Sequence, residues 1–340
     1  MGTLSIKAKL EKKTWGSAPC SGLDSGASEA PKIVIAGAGI MGASMAQIFA
    51  RRGYSVTLYD IAQEGIDKGR ELIAINQRAL IGQGELDEDL SREVLSRIAY
   101  TTIPDAFKET DFVIEAIVEN MAVKLDFWKE VSRLAPDGAV LTTNTSGLSI
   151  TEISAAVRLP ERFCGMHWVN PPHIAPLVEV IQGESTAEET VEAVREAALS
   201  VHRHPVTVRG DPRGFVLNRL QFAVLREALH IVENGYATAK DVDDVMKYGL
   251  GMRYSCIGPF ETVDLGGLDT FYKVGSYLFA ELSNVKDVLE PLAALYREGA
   301  FGTKTGRGFY DYGDGGAERA IEKRDKAFLK VAKCLYEDLL

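Results

Sequence analysis

A chain of 340 residues with 46% hydrophobic and 25% charged residues has the balance of a globular protein and length enough for two domains with a sizeable core. Its formal net charge of −10 argues against the broad basic face that nucleic acid needs, so no nucleic-acid partner is expected and an anionic substrate must find a local cluster of cations. No run is apolar enough for a membrane partner, and four scattered cysteines (Cys20, Cys164, Cys256, Cys334) lack metal-ligand spacing, so no metal is expected and reduced thiols in a cytoplasmic setting are.

Residues 1–30 carry Lys7, Lys9, Lys12 and Lys13 and then a Gly/Ser/Ala-rich stretch to Ala30. Without an apolar signal core or the arginines of a transit peptide, and with Ile6 breaking a myristoylation pattern, they read as a mobile tail without chemistry. From Lys32 the pattern becomes regular. Lys32–Ala36 is a short β-branched run, a buried strand, followed by the glycine turn and a helix over Ile40–Arg52. Ser55–Tyr59 is a second strand; a long helix from about Ala62 to Ile81 and an amphipathic piece around Leu90–Ile98 come next. Asp111–Ala116 is a strand, Met121–Leu134 a helix and Ala139–Thr143 a strand, with further strand-like runs at Phe163–Trp168, Leu177–Ile181 and Pro205–Val208. This alternation predicts an α/β domain over 31–210, a Rossmann-type doubly wound parallel sheet. After Asp211 the pattern turns helical (Phe215–Asn234, Ala239–Tyr248 and pieces to Leu340), predicting an all-helical C-terminal domain over 211–340.

The turn Gly37-Ala38-Gly39-Ile40-Met41-Gly42 follows a strand and opens a helix, the context in which G-x-G-x-x-G binds a dinucleotide. Gly37 permits the tight turn, Gly39 lets backbone approach a pyrophosphate, and Gly42 allows close helix–strand packing; the helix N-terminus offers free N–H groups to the phosphates. Asp60 ends the next strand, where a carboxylate accepts from a ribose 2′-hydroxyl and repels the 2′-phosphate of NADP, so NAD is the expected cofactor. A strand-end cap is the structural reading of the same residue.

Two later segments look chemical. Asn144-Thr145-Ser146-Gly147-Leu148 lies at the carboxyl end of a strand, where open α/β sheets bind ligands, although a polar turn capping the next helix from Ser149 or Thr151 would look the same. In Gly165-Met166-His167-Trp168-Val169-Asn170-Pro171-Pro172, leading to Leu177-Val178-Glu179-Val180, the flanking strands can bring His167 and Glu179 together as an acid–base pair. His167 alone reads as well as a hydrogen-bonded core residue. His173, His202, His204 and His230 lack such a setting and read as structural.

With these stretches in view, the chain resembles the 3-hydroxyacyl-CoA dehydrogenase superfamily over about residues 31–312. The likeness also rests on Val113–Asn120, Gly214-Phe215-Val216-Leu217-Asn218-Arg219, Gly258–Glu261 and Lys304–Tyr310. The resemblance implies that His167 is the general base, that Glu179 orients it, and that Ser146 and Asn218 bond the reacting oxygen. It also implies that Glu119, Lys124, Asn144, Ser146 and Asn170, with Ile40 and Met41 of the glycine turn, hold the cofactor. A homodimer formed through the C-terminal helices is implied as well. The function so implied is NAD-dependent oxidation of an alcohol, with a short-chain substrate such as 3-hydroxybutyryl-CoA.

Two departures keep a second reading open. The helical stretch after the second strand holds Lys68, Arg70 and Arg78 but no lysine cluster for the phosphates of CoA, and the histidine is followed by Asn170-Pro171-Pro172. That form is similar to branches that oxidise small non-CoA hydroxy acids or hydroxymethyl aromatics (carnitine, gulonate or a pyridine carboxylic acid). A reading of another class, a non-catalytic crystallin-like protein, shares only the fold and leaves Ser146, His167, Glu179 and Asn218 without a purpose.

Overall fold

The computed structural model describes residues 30–82, 84 and 86–336; the segment expected to be a tail lies outside the described residues apart from Ala30. The chain divides into two compact units, between Val216 and Leu217.

The first unit is built on an eight-stranded sheet in the order β3-β2-β1-β4-β5-β6-β7-β8. The strands are β1 (Ile33–Ala36), β2 (Val56–Tyr59), β3 (Ile98–Thr101), β4 (Phe112–Glu115), β5 (Val140–Thr143), β6 (Phe163–Trp168), β7 (Leu177–Gln182) and β8 (His204–Arg209). The helices that connect them include α1 (Ile40–Arg51), α2 (Gln63–Gly82), α3 (Glu88–Ser96), α4 (Met121–Leu134), α5 (Ile150–Ser154) and α6 (Glu188–Ser200). Short β-branched runs buried on both sides form the central strands because helices cover both faces. Along β1 the alternation is visible: Ile33 and Ile35 join a core with α1, α2, α3 and α6, whereas Val34 and Ala36 join a second core with α4 and α5. The strand order reverses between β1 and β4, which opens a crevice at their carboxyl ends.

The doubly wound α/β expectation is met, with differences at the rim. β3 is an edge strand that sequence pattern merges with the preceding helix: the amphipathic piece expected over Leu90–Ile98 is α3 over Glu88–Ser96, and Ile98 starts the strand. Of its four residues only Ile98 is buried, so the strand carries almost no hydrophobic signal. The sheet is not parallel throughout, since β6 and β7 pair antiparallel with His167 opposite Glu179. Helix α6 stands between two strand-like runs where none was anticipated, although Val191, Val194, Ala197 and Ala198 repeat at helical spacing. The units divide beyond the 211 start expected for the helical domain, because 211–216 is tied into the first unit. There Asp211 Oδ2 accepts from the Ser149 hydroxyl (2.5 Å) and the Thr151 N–H (2.8 Å), Phe215 is fully buried, and the Val216 N–H donates to Glu179.

The second unit is helical: α7 (Leu217–Glu233), α8 (Ala239–Val245) running into a π-helical turn (Met246–Gly251), α9 (Met252–Tyr254), α10 (Pro259–Gly266), α11 (Leu268–Glu281), α12 (Glu290–Arg297) and α13 (Gly316–Leu335). The helix expected from Phe215 starts at Leu217 because Gly214 (φ 78°) and Phe215 (φ 51°) are left-handed. No helix among the described residues is long and apolar enough to cross a membrane.

Candidate active site

The glycine turn closes the crevice at the end of β1. Gly37 has φ 101°, and a Cβ there would lie 2.4 Å from the carbonyl oxygen of Ala116 beyond β4; one at Gly42 would lie 1.8 Å from the carbonyl oxygen of Gly37. Both positions require glycine to seat α1 against the strands. At Gly39 an added Cβ meets nothing within 4 Å, so its face is open, and no side chain caps the helix that starts there. Open backbone and uncapped N–H groups at a helix N-terminus fit a pyrophosphate. Ile40 is exposed at 64% and Met41 is half-buried. Asp60, at the end of β2, joins this turn: its Oδ2 accepts from the Ala38 N–H at 2.9 Å and its Oδ1 from the Ala62 N–H at 3.1 Å.

The next cluster forms where β4 and β5 end. Glu115 and Lys124 are both completely buried and paired, the ammonium also reaching Glu119 Oε2 at 3.5 Å. Glu115 collects further donors from the Ile117 N–H (3.0 Å), the Trp128 indole (3.3 Å) and the Thr143 hydroxyl (2.6 Å). Glu119 Oε1 in turn accepts from the Thr145 hydroxyl (2.6 Å) and the Ser146 N–H (3.0 Å). A buried charge pair is tolerable only when its lone pairs and protons are satisfied in this way. Asn144 spans to the neighbouring strand: its N–H donates to the Glu115 carbonyl (2.7 Å) and its side-chain oxygen accepts from the Trp168 N–H (2.8 Å). Glu119, Lys124, Asn144 and Ser146 therefore share one connected network, with Ser146 exposed. Glu115, Thr143 and Thr145 complete it without having been singled out in the sequence. Their signal is a carboxylate ending an otherwise apolar strand, which needs a partner to be there at all.

The antiparallel β6–β7 pairing supplies the third cluster. His167 and Glu179 are 5% and 1% exposed, and His167 Nδ1 lies 2.8 Å from Glu179 Oε2. The other oxygen of Glu179 accepts from the Val216 N–H at 2.9 Å, and the Phe215 ring packs 5.7 Å from the imidazole, centroid to centroid. A carboxylate can only accept, so Nδ1 carries a hydrogen, and in the neutral ring the lone pair lies on Nε2. Burial pushes the Cys164 thiol far up, so the thiol on the strand that carries His167 is no nucleophile. Asn170 is exposed after β6, joined to Pro171 by a cis peptide bond. Asn218 belongs to the second unit, in the first turn of α7.

Comparison with known proteins gives the arrangement a context. The family "3-hydroxyacyl-CoA dehydrogenase, NAD binding domain" matches residues 32–211, and "3-hydroxyacyl-CoA dehydrogenase, C-terminal domain" matches residues 214–312. The chain is 38% identical over 281 residues to 5-formyl-3-hydroxy-2-methylpyridine 4-carboxylate 5-dehydrogenase of Mesorhizobium japonicum, covering 82% of this chain and 90% of that protein. It is 37% identical over 282 residues to 3-hydroxybutyryl-CoA dehydrogenase of Clostridioides difficile, covering 83% and 99%. Among solved structures, a 5-formyl-3-hydroxy-2-methylpyridine 4-carboxylic acid 5-dehydrogenase, described as an NAD-dependent dismutase, superposes with a TM-score of 0.83 at 35% identity, covering 90% of this chain and 98% of its own.

Proposed function

Because the chain belongs to the 3-hydroxyacyl-CoA dehydrogenase family, whose members oxidise CH–OH groups with NAD, we propose that it oxidises a short-chain 3-hydroxyacyl-CoA such as 3-hydroxybutyryl-CoA. The observation that carries this reading is the buried His167–Glu179 pair, 2.8 Å apart, at the carboxyl edge of a sheet that also presents an open glycine turn. Bound NAD supplies the hydride acceptor. Gly37, Gly39, Ile40, Met41 and Gly42 would hold its pyrophosphate, Asp60 the adenosine ribose, and Glu119, Lys124, Asn144, Ser146 and Asn170 the nicotinamide half.

In this reading Nε2 of His167 takes the proton from the substrate hydroxyl as the carbon gives up hydride. Glu179 keeps the ring in the productive tautomer and stabilises the imidazolium that forms. Ser146 donates to the oxygen as it becomes a carbonyl, holding it against the base; the family resemblance implies the same role for Asn218. In the reverse direction the protonated His167 returns its proton to the same oxygen. The protein works as a homodimer in the cytoplasm.

A second reading, oxidation of a small non-CoA hydroxy acid or hydroxymethyl aromatic, is favoured by the cations of α2. Arg70 stacks 4.4 Å over the Tyr100 ring, and Lys68 and Arg78 are separated along a helix that also carries Glu64, Asp67 and Glu71, so a polyphosphate finds thin support. A side-by-side assay decides between them: acetoacetyl-CoA reduction with NADH against NAD reduction by free hydroxy acids and hydroxymethyl-pyridines. Turnover confined to the CoA thioester supports the first reading, and turnover confined to the free compounds replaces it with the second.

A further inference from the structure

Helix α2 passes the end of β2 with two glycines toward the cofactor turn. A Cβ built at Gly69 would lie 2.9 Å from the Ala38 Cβ and 3.0 Å from the Ala38 carbonyl oxygen. At Gly65 the obstruction is of another kind: a Cβ would lie 2.4 Å from both Cγ and Oδ1 of Asp60 and 2.6 Å from Oδ2. The whole carboxylate thus occupies the space a side chain at position 65 would take. In that place it spans two backbone donors, Ala38 of the glycine turn at 2.9 Å and Ala62 before α2 at 3.1 Å. Glycine within a helix is otherwise unfavourable relative to alanine.

We infer that Gly65 is a positioning residue for cofactor choice: its missing side chain lets Asp60 lie along the glycine turn, in the orientation that accepts from a ribose 2′-hydroxyl and repels a 2′-phosphate. The inference rests on Asp60 holding the adenosine ribose. A methyl at position 65 displaces the carboxylate from both N–H groups and rotates it off the turn. Chemistry at His167 is untouched, because Gly65 acts only through Asp60.

The test uses the full chain with Gly65→Ala, Asp60→Ala, the double variant, and Gly82→Ala as control, since a Cβ at Gly82 on the same helix meets nothing within 4 Å. KM and kcat are measured with NAD and with NADP, NAD affinity by titrating the folded protein, and Tm by thermal unfolding. For Gly65→Ala the expected result is a rise on the order of tenfold in KM and Kd for NAD, the size of one lost hydrogen bond to a charged group. Its kcat is retained, the preference over NADP narrows, and Tm falls no further than in Asp60→Ala, because both variants lose the same two bonds from Ala38 and Ala62. In the Asp60→Ala background the second change adds nothing, and Gly82→Ala matches the parent. Parental NAD affinity in Gly65→Ala, or a loss that adds fully to that of Asp60→Ala, overturns the inference while leaving the role of Asp60 intact. Parental NAD affinity in Asp60→Ala removes that role and the inference with it. If Gly65→Ala lowers Tm and kcat together, the glycine serves packing alone and the inference is also overturned.

Discussion

With Nδ1 held by Glu179 at 2.8 Å and the ring buried among β6, β7 and Phe215, His167 offers a single nitrogen to a substrate hydroxyl. Replacing it with alanine is expected to lower kcat by roughly 10²–10⁴-fold, the usual contribution of general acid–base transfer, while NAD titration of the folded variant stays near parental. Glu179→Gln keeps the shape and can still accept from Val216, yet it no longer compensates the imidazolium, so a loss of similar order is expected in kcat. Glu115 makes a contrasting case. It is buried, and its removal strips Lys124 of its closest partner, so Glu115→Ala should cost about 3–5 kcal/mol in urea unfolding. Adding Lys124→Met should recover part of that stability. His167 and Glu179 were legible in the sequence as a pair because strand alternation places both on paired strands. Glu115 was not, because its meaning lies in Trp128 and Thr143, which other elements bring to it.

At the scale of elements, short connections decide which side chains meet. Helix α5 has five residues, too few to hold itself, and its first turn hangs on Asp211 from the far end of β8. Burial alone would raise the Asp211 pKa, but bonds from the Ser149 hydroxyl and from Thr151 outweigh it and hold the carboxyl below its ordinary range. The charged form is the one the fold favours, so its contribution is present above the ordinary aspartate pKa of about 3.9 and is lost as pH falls through the lower folded value. Asp211→Ala should cost about 1 kcal/mol near neutral pH, as for a lost helix cap, and the difference from the parent should vanish in unfolding measurements taken below that range. Local periodicity found most strands and long helices. It missed β3 because an edge strand buries too little to show, and it merged that strand with α3 because Ile98 continues the helical spacing.

For the molecule as a whole, the second unit poses a surface problem. Among the described residues from Leu217 onward only Leu229, Thr262, Ser283, Leu289 and Ala332 are buried, while Phe260, Leu265, Tyr272 and Phe279 are more than three-quarters exposed. So much apolar surface is not left to water in a stable protein, and a second copy is the partner the family resemblance implies. Light scattering on the eluting protein should give twice the chain mass of 37.1 kDa, and Phe260→Asp with Phe279→Asp should shift it toward monomer. The sequence by itself determined the α/β order of the first unit, the glycine turn with Asp60, and the candidate pair His167 and Glu179, because each is written in local spacing and residue chemistry. Only the tertiary structure decided that β6 and β7 run antiparallel so that the pair meets, that Glu115 anchors Lys124, and that Asp60 lies in the space left by Gly65. Those contacts join residues from separate elements, and a carboxylate's orientation depends on what the opposing backbone and side chains leave open.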